Sequence, residues 1–410
     1  MEAMIERCAG LDVHQETVVA CVLFGPLDKR PKKEIQTFPT TTSGLLALSD
    51  WLTSHEVTDA VMESTGVYWK PVWNILEHNV QLVLANAQHV KNVPGRKTDV
   101  KDAEWLAKLL RSGLIESSFV PPEDIRDLRD LTRYRKKLIN SRTSERNRIH
   151  KILQDANIKL TSVFSDIFGV TGCRILEALI NGEKIEIQSL QQMVDPRVKA
   201  SLTEIYEALN GRIRKHHCDM LRFHWEHIAY LDETIDKIVE QIDQVLIPYR
   251  EECELLDTIP GVNKDSVAIF IAEMGVDMSV FGSAKRLASW AGVSPGNYES
   301  AGIKKKSKTT YGNKALRTAA VECSFATDRQ VNRISAHRKR IMKRQGIAKA
   351  RIASAHLLLT IAYNILKTKE PYQELGPDYY QQKEQNKELK MVQYLKRKGY
   401  SIELTEDKTA

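Results

Sequence analysis

Apolar residues in the first part of the chain come in short runs split by polar turns. Cys8–Val13 and Thr17–Phe24 flank the polar His14-Gln15-Glu16, which predicts a hairpin, and Glu34–Phe38 fits a third strand. Leu45, Leu46, Leu48, Trp51 and Leu52 fall on one face of a helix over Thr42–His55. Ala60–Met62 and Val80–Leu84 predict two more strands, with a helix over Val67–His78 between them. Thr98 stands as an N-cap for a helix that reaches about Arg111 and is ended by Gly113. This order predicts an α/β domain over residues 1–122: a hairpin-started mixed sheet with helices on its faces.

Beyond Pro122 the pattern turns helical. Asp124–Asn157 contains no Gly or Pro and predicts one long helix. A less regular stretch follows to about Arg197, then a second long helix over Ser201–Val245. In it Ile228, Leu231, Ile235, Ile238, Ile242, Val245 and Tyr249 alternate spacings of three and four, a heptad seam. A seam needs a partner, either the first long helix or another protomer, so residues 123–250 are expected to form a helical coiled-coil arm. Residues 251–370 predict a mainly α-helical domain. Ile259-Pro260-Gly261-Val262 opens a helix–hairpin–helix-like segment, with Asn263 where a second Gly is preferred. Gly/Ser-rich loops run through 292–313, and helices are expected over Lys314–Arg329 and Ala348–Lys369. Residues 371–410 form a polar, loosely packed tail.

Charge changes this picture more than composition does. The formal net charge of +7 is modest, but it is segregated. Residues 133–151 hold eight Lys/Arg and one acid, 304–317 hold six and none, and 329–351 hold nine and none. Residues 226–257 hold ten acids and two bases. Three basic blocks offset by one acidic block point to a polyanion. No run approaches the roughly 18 apolar residues of a membrane span. The N-terminus carries Glu2 and Glu6 without an apolar stretch, and six scattered cysteines form no Cys-x-x-Cys pair. A reduced, cytoplasmic, nucleoid-associated protein is expected, with no membrane partner. His216, His217, Cys218, His224 and His227 spread over different faces of one helix, so no zinc site is expected. Tyr68, Trp69 and Trp73 are expected to pack the core.

Candidate chemistry begins with Asp12. It lies inside the apolar strand Cys8-Ala-Gly-Leu-Asp-Val-His, where a carboxylate is costly unless it is paired or holds a metal. Glu63 ends the fourth strand, and ligands of α/β sheets gather at carboxyl ends of strands. Asp99 and Asp102, three apart, share one face of a helical first turn, where acids also simply complement the helix dipole. Together the acids offer oxygens for Mg2+ or Mn2+, and two such ions serve phosphoryl transfer.

Gly-Leu-Asp12-Val-His, Glu63-Ser-Thr-Gly and Lys-Thr-Asp99-Val-Lys-Asp102-Ala resemble the DEDD signature of a bacterial insertion-sequence transposase family. Leu256-Asp-Thr-Ile-Pro-Gly-Val262, Leu287-Ala-Ser-Trp-Ala-Gly-Val-Ser-Pro295, Tyr298-Glu-Ser300 and Gly312-Asn-Lys-Ala-Leu-Arg317 resemble its C-terminal transposase domain, in order. The resemblance implies an RNase-H-like (RuvC-like) N-terminal domain whose tetrad Asp12, Glu63, Asp99 and Asp102 binds metal. It implies that Ser300, otherwise an ordinary loop serine, is a nucleophile. It also implies recombination guided by a bridge RNA, on donor and target double-stranded DNA, in a dimer of dimers whose active sites combine two protomers. Arg133, Arg135, Lys136, Lys137, Arg142, Arg146, Arg148, Lys304, Lys305, Lys306, Lys308 and Arg317 are the basic residues expected to meet nucleic acid. Two rival readings use the same residues: a metal-dependent nuclease or Holliday-junction resolvase with a structural Ser300, and a non-catalytic nucleic-acid-binding scaffold.

Overall fold

The structure is a computed structural model that describes residues 3–64, 66–87, 90, 102–296, 299–300, 303–304, 309 and 311–400. The chain folds as two units, Met1–Val120 and Pro121–Ala410. In the first, β1 (Arg7–Val13), β2 (Thr17–Phe24) and β3 (Lys32–Pro39) form an antiparallel meander, followed by α1 (Thr42–Ser54). Then come β4 (Asp59–Glu63), α2 (Trp69–Leu76), β5 (Gln81–Ala85) and α3 (Asp102–Arg111). The sheet order is β3-β2-β1-β4-β5, with β1–β4 and β4–β5 parallel. The strands and α1 lie within a few residues of their predicted ends. The predicted start of the last helix, at Thr98, lies outside the described residues.

Side chains alternate across the sheet and divide the core in two. Ala9, Leu11, Val18, Ala20 and Met62 pack with Leu45, Leu48, Val72 and Leu76 on the α1/α2 side. Trp73 is buried there and Trp69 partly so, whereas Tyr68 is exposed. On the other side Cys8, Cys21 and Val61 pack with Ala103, Leu106, Ala107 and Leu110 of α3. Burial pushes the Cys8 thiol up to about 12 and the Cys21 thiol up to about 11, so neither is a ready thiolate.

Gly10 sets how closely α3 approaches. A Cβ there would lie 2.1 Å from the Ala103 carbonyl oxygen and 2.5 Å from the Ala107 nitrogen. At the far end of α3, buried Arg111 donates to the carbonyls of Glu6, Gly25 and Pro26 at 2.8, 3.0 and 2.9 Å. Glu104 ties the helix to the meander, accepting from Lys108 at 2.6 Å and from Lys33 of β3 at 2.8 Å.

In the second unit α4 (Glu123–Asp155) and α8 (Lys215–Val245) lie antiparallel. Ile228, Leu231, Ile235, Ile238 and Ile242 of the α8 seam are buried, and so are Leu128, Leu138, Ile149 and Leu153 of α4. Polar rungs cross the pair: Arg142 to Asp232, His224 Nδ1 to Glu145 at 2.6 Å, and His217 Nε2 to Asp155 at 2.9 Å. Between them come α5 (Val170–Ile180), α6 (Ile187–Met193) and α7 (Leu202–Ala208). The helix predicted over Ser201–Val245 is therefore two. Gly211 breaks it, because it lies against the end of α4, where a Cβ would come within 2.4 Å of the Ala156 carbonyl oxygen. Arg212 instead donates its N–H to that oxygen at 2.8 Å.

The rest comprises α9 (Arg250–Asp257), α10 (Lys264–Met274), α11 (Ala284–Trp290), the two-residue strands β6 (Glu299–Ser300) and β7 (Ile303–Lys304), α12 (Lys314–Ala326), α13 (Arg333–Gln345), α14 (Ile347–Thr368) and α15 (Tyr379–Arg397). Asn263 is the N-cap of α10, accepting from the Ser266 N–H at 3.0 Å; it has φ −125°, so no second Gly is required. Two helices depart from expectation. α13 occupies a stretch too rich in charge to show an apolar face, and it is started by an Asn332–Ser335 capping box. The tail carries α15, whose first residues pack on α13. No described helix is long and apolar enough to cross a membrane.

Lys108 first, and then Lys33, hold the Glu104 carboxyl well below its ordinary 4.5, at about 2. The carboxylate therefore stabilises the fold fully above about pH 4.5, and the benefit is lost as pH falls toward 2. Glu104→Gln is expected to lower unfolding stability at neutral pH by roughly 1–3 kcal/mol. Denaturant titrations from neutral to acid pH should show wild type and variant converging as the carboxylate protonates.

Candidate active site

The parallel register of β1 and β4 places Gly10 beside Val61 and Leu11 beside Met62. One step on, Asp12 stands beside Glu63 at the carboxyl end of both strands. Alternation puts both on the face shared with Gly10 and Val61, which is the face α3 covers. α3 runs against β1, with Ala103 over Gly10 and Ala107 near Cys8. Its first residue, Asp102, is therefore at the same end of the same face. Asp12 and Glu63 are half-buried, and Asp12 shares a 3.2 Å hydrogen bond with His14 Nε2. His14 was not singled out as a functional residue; its signal is an Asp-x-His spacing that returns the imidazole to the carboxylate across the start of a turn. Among the described residues no group of three or more His, Cys, Asp or Glu side chains is placed to hold a metal ion. Asp99 lies outside them.

Ser300 ends β6, which pairs antiparallel with β7 in the register Glu299–Lys304 and Ser300–Ile303. An isolated bridge between Pro295 and Thr309 joins the two sides of this excursion. The side chains of Ser300 and Lys304 lie outside the described residues, as do Lys305, Lys306 and Lys308. Where the chain leaves the excursion it is held tightly. A Cβ on Gly312 would lie 2.3 Å from the Gly292 nitrogen and 2.5 Å from the Trp290 carbonyl oxygen, and the Asn313 N–H donates to that oxygen at 3.1 Å.

Asn313 is also the link to a buried charge. Its Oδ1 caps α12 by accepting from the Leu316 N–H at 3.0 Å, while its Nδ2 donates to Glu273 Oε2 at 2.6 Å. Glu273, on α10, has no solvent exposure. Arg133 of α4 grips it with two bonds, Nε to Oε1 at 2.7 Å and Nη2 to Oε2 at 2.8 Å. Arg129 Nε lies 3.4 Å from Oε2 and also donates to the Ala272 carbonyl at 3.0 Å. Burial lowers the Arg129 pKa, and the bond from Glu273 raises that of Arg133. Glu273 was missed in the sequence, although a lone acid in the apolar run Val267–Met274 and arginines four apart at 129 and 133 were its signals.

The basic residues expected at a nucleic-acid track are differently occupied. Arg133 is committed to buried Glu273. Arg135 pairs with Asp265 at 2.8 Å and Lys136 with Glu322 at 3.2 Å. Arg142 pairs with Asp232, and Arg148 with Glu145. Arg146 lies over the Phe168 ring at 4.8 Å. Lys137 is exposed, and Arg317 is half-buried in the first turn of α12.

Comparison with known proteins adds a separate line of information. Residues 9–158 match a family of the DEDD IS110 type described as transposase, a span that contains Asp12, Glu63, Asp99 and Asp102. Residues 253–341 match the transposase IS116/IS110/IS902 family, a span that contains Glu273, Ser300 and Asn313. Together the two spans cover more than half of the chain. Two curated relatives, the pilin gene-inverting proteins of Moraxella bovis and Moraxella lacunata, are each 26% identical over 391 residues, 90% of this chain and 98% of theirs.

Glu273→Ala is expected to leave half-buried Arg129 and Asn313 without their acceptor, while exposed Arg133 can turn to water, and to cost about 1–3 kcal/mol of stability. Equilibrium unfolding of the full chain measures this; an effect within a few tenths of a kcal/mol would show that the network bears no weight.

Proposed function

Because this chain belongs to the IS116/IS110/IS902 transposase family, we propose that it is an RNA-guided DNA recombinase that joins donor and target DNA through a covalent Ser300–DNA intermediate. The observation that carries this reading is the gathering of Asp12, Glu63 and Asp102 at one end of one sheet face. Together with Asp99 of the same motif they would offer an all-oxygen donor set, the chemistry that a hard divalent ion such as Mg2+ or Mn2+ takes in an RNase-H-like domain. Such an ion, when bound, supplies Lewis-acid polarisation of the phosphoryl oxygens. His14 keeps one oxygen of Asp12 oriented. The close seat of α3 on Gly10 fixes Asp102 at the strand ends.

In this reaction the Ser300 oxygen attacks a DNA phosphorus. An oxygen–phosphorus bond forms, the bond to the leaving strand breaks, and the serine proton ends on the freed hydroxyl. A hydroxyl of the new partner strand then attacks the phosphoserine linkage and releases Ser300. The number of phosphodiester bonds is conserved, so no nucleotide hydrolysis is required. Lys304, Lys305, Lys306 and Lys308 follow Ser300 closely and supply positive charge for the phosphate. Arg317 adds charge on α12.

The acids and Ser300 belong to different units of the chain, which suits an active site assembled from two protomers in a dimer of dimers. The α4/α8 pair is the proposed coiled-coil arm. The relatives that invert pilin genes are named for a rearrangement of DNA, in keeping with donor and target DNA as substrates. A bridge RNA from the element supplies the pairing, and the basic blocks supply its counter-charge.

The test is a reconstituted reaction. The protein is purified from cells that also carry the element's flanking non-coding DNA, and is then given donor and target duplexes. Wild type should join them and lose activity in EDTA. Ser300→Ala and Asp12→Asn should each fall by about 10^4 or more. Cutting that persists unchanged in Ser300→Ala would replace the reading with hydrolysis. Sequencing should find an enriched RNA from the flanking DNA in the same preparation; its absence would remove RNA guidance.

A further inference from the structure

α13 carries Arg333, His337, Arg338, Lys339, Arg340, Lys343 and Arg344 without an acid. An ordinary solvated basic face would keep its nitrogens in water. Here Arg333 Nε, His337 Nδ1, Arg338 Nε and Nη1, and Arg340 Nε are buried and without hydrogen-bond partners. These are half of all such side-chain atoms among the described residues, concentrated on one helix. Burial first, and then Arg340, Arg333 and His356, hold the His337 imidazole down to about 4, so it is neutral at physiological pH. Arg338 does pair with Asp328 through its other terminal nitrogen, but the remaining dehydrated guanidinium nitrogens have no acceptor, which is costly, and an anion would relieve them.

The chain's own tail lies on this face. Glu374 accepts from the Arg333 backbone N–H at 2.9 Å, and Glu384 pairs with Arg340 at 2.8 Å. The Tyr379 ring lies 4.3 Å from the Arg333 guanidinium and the Tyr380 ring 4.6 Å from that of Arg340. Tyr380 also meets the His337 ring at 5.1 Å. Aromatic rings stacked on arginines, with carboxylates beside them, are what an unpaired nucleotide strand presents through its bases and phosphates. The tail is lightly held, since no residue of α15 is fully buried.

We propose that the Arg333–His337–Arg340 face of α13 binds single-stranded nucleic acid, and that tail residues Glu374 to Glu384 occupy this face in the free protein as a displaceable cover. This face uses none of the tetrad acids and not Ser300. It rests on the reading that the protein works on nucleic acid.

The test is fluorescence anisotropy with the full chain and a short fluorescein-labelled single-stranded RNA at low salt. The paired substitution Tyr379→Ala/Tyr380→Ala should tighten binding about tenfold by removing the competing stacks. Adding Arg333→Gln/Arg340→Gln should abolish that gain. Photo-crosslinking of thiouridine-bearing RNA to the tyrosine variant should place adducts in α13, a readout that does not depend on the glutamine variants folding. Binding unchanged or weakened by the tyrosine substitutions, a gain that survives the glutamines, or crosslinks confined to other helices would each overturn the cover. If wild type and every variant fail to bind, the nucleic-acid reading itself falls.

Discussion

A carboxylate sealed from water must be matched where it lies, and Glu273 is matched from two directions. Arg129 and Arg133 reach it from α4, and Asn313 reaches it from the end of the serine-bearing excursion. A carboxylate this buried is costly without partners, so Glu273 favours the arrangement in which all three reach it. The consequence is positional. α4 is locked against α10, and the segment that leaves the Ser300 hairpin is pinned at Asn313 while Gly312 admits the backbone of Trp290 and Gly292. The rest of the second unit follows from α4, because its other end carries the α8 seam and the middle helices.

The first unit uses a steric constraint for the same purpose. Gly10 lets α3 descend until backbone meets backbone, Glu104 ties it to β3, and Arg111 fixes its far end. Asp102 then stands at the strand ends where Asp12 and Glu63 emerge. These acids are placed by strand register and helix packing.

Much of this was legible in the residues, and the exceptions have physical causes. Alternating apolar runs predict the five strands nearly to their ends, and the apolar strand that Asp12 interrupts ends beside Glu63 as the pattern suggests. The Gly211 break was hidden because a Gly inside a helical pattern costs only about 1 kcal/mol, and only its contact with Ala156 requires it. α13 was hidden because capping and Ile334 hold it, not an apolar stripe. Glu273 was hidden because its partners are distant in sequence: Arg133 and Asn313 lie 140 and 40 residues away. Charge along a helix likewise does not reveal which cations of the basic block at 133–151 already face acids across a packed surface. Arg133, Arg135 and Arg142 do.

The central claim is that one oxygen of this chain carries DNA during the reaction. The most direct measurement is to stop the reaction in denaturant, digest the protein–DNA product with protease and nuclease, and identify the nucleotide-bearing peptide by tandem mass spectrometry. A nucleotide phosphate on Ser300 is the expected result. An active preparation with no nucleotide on any peptide, or with it on another residue, would rule out Ser300 as the nucleophile.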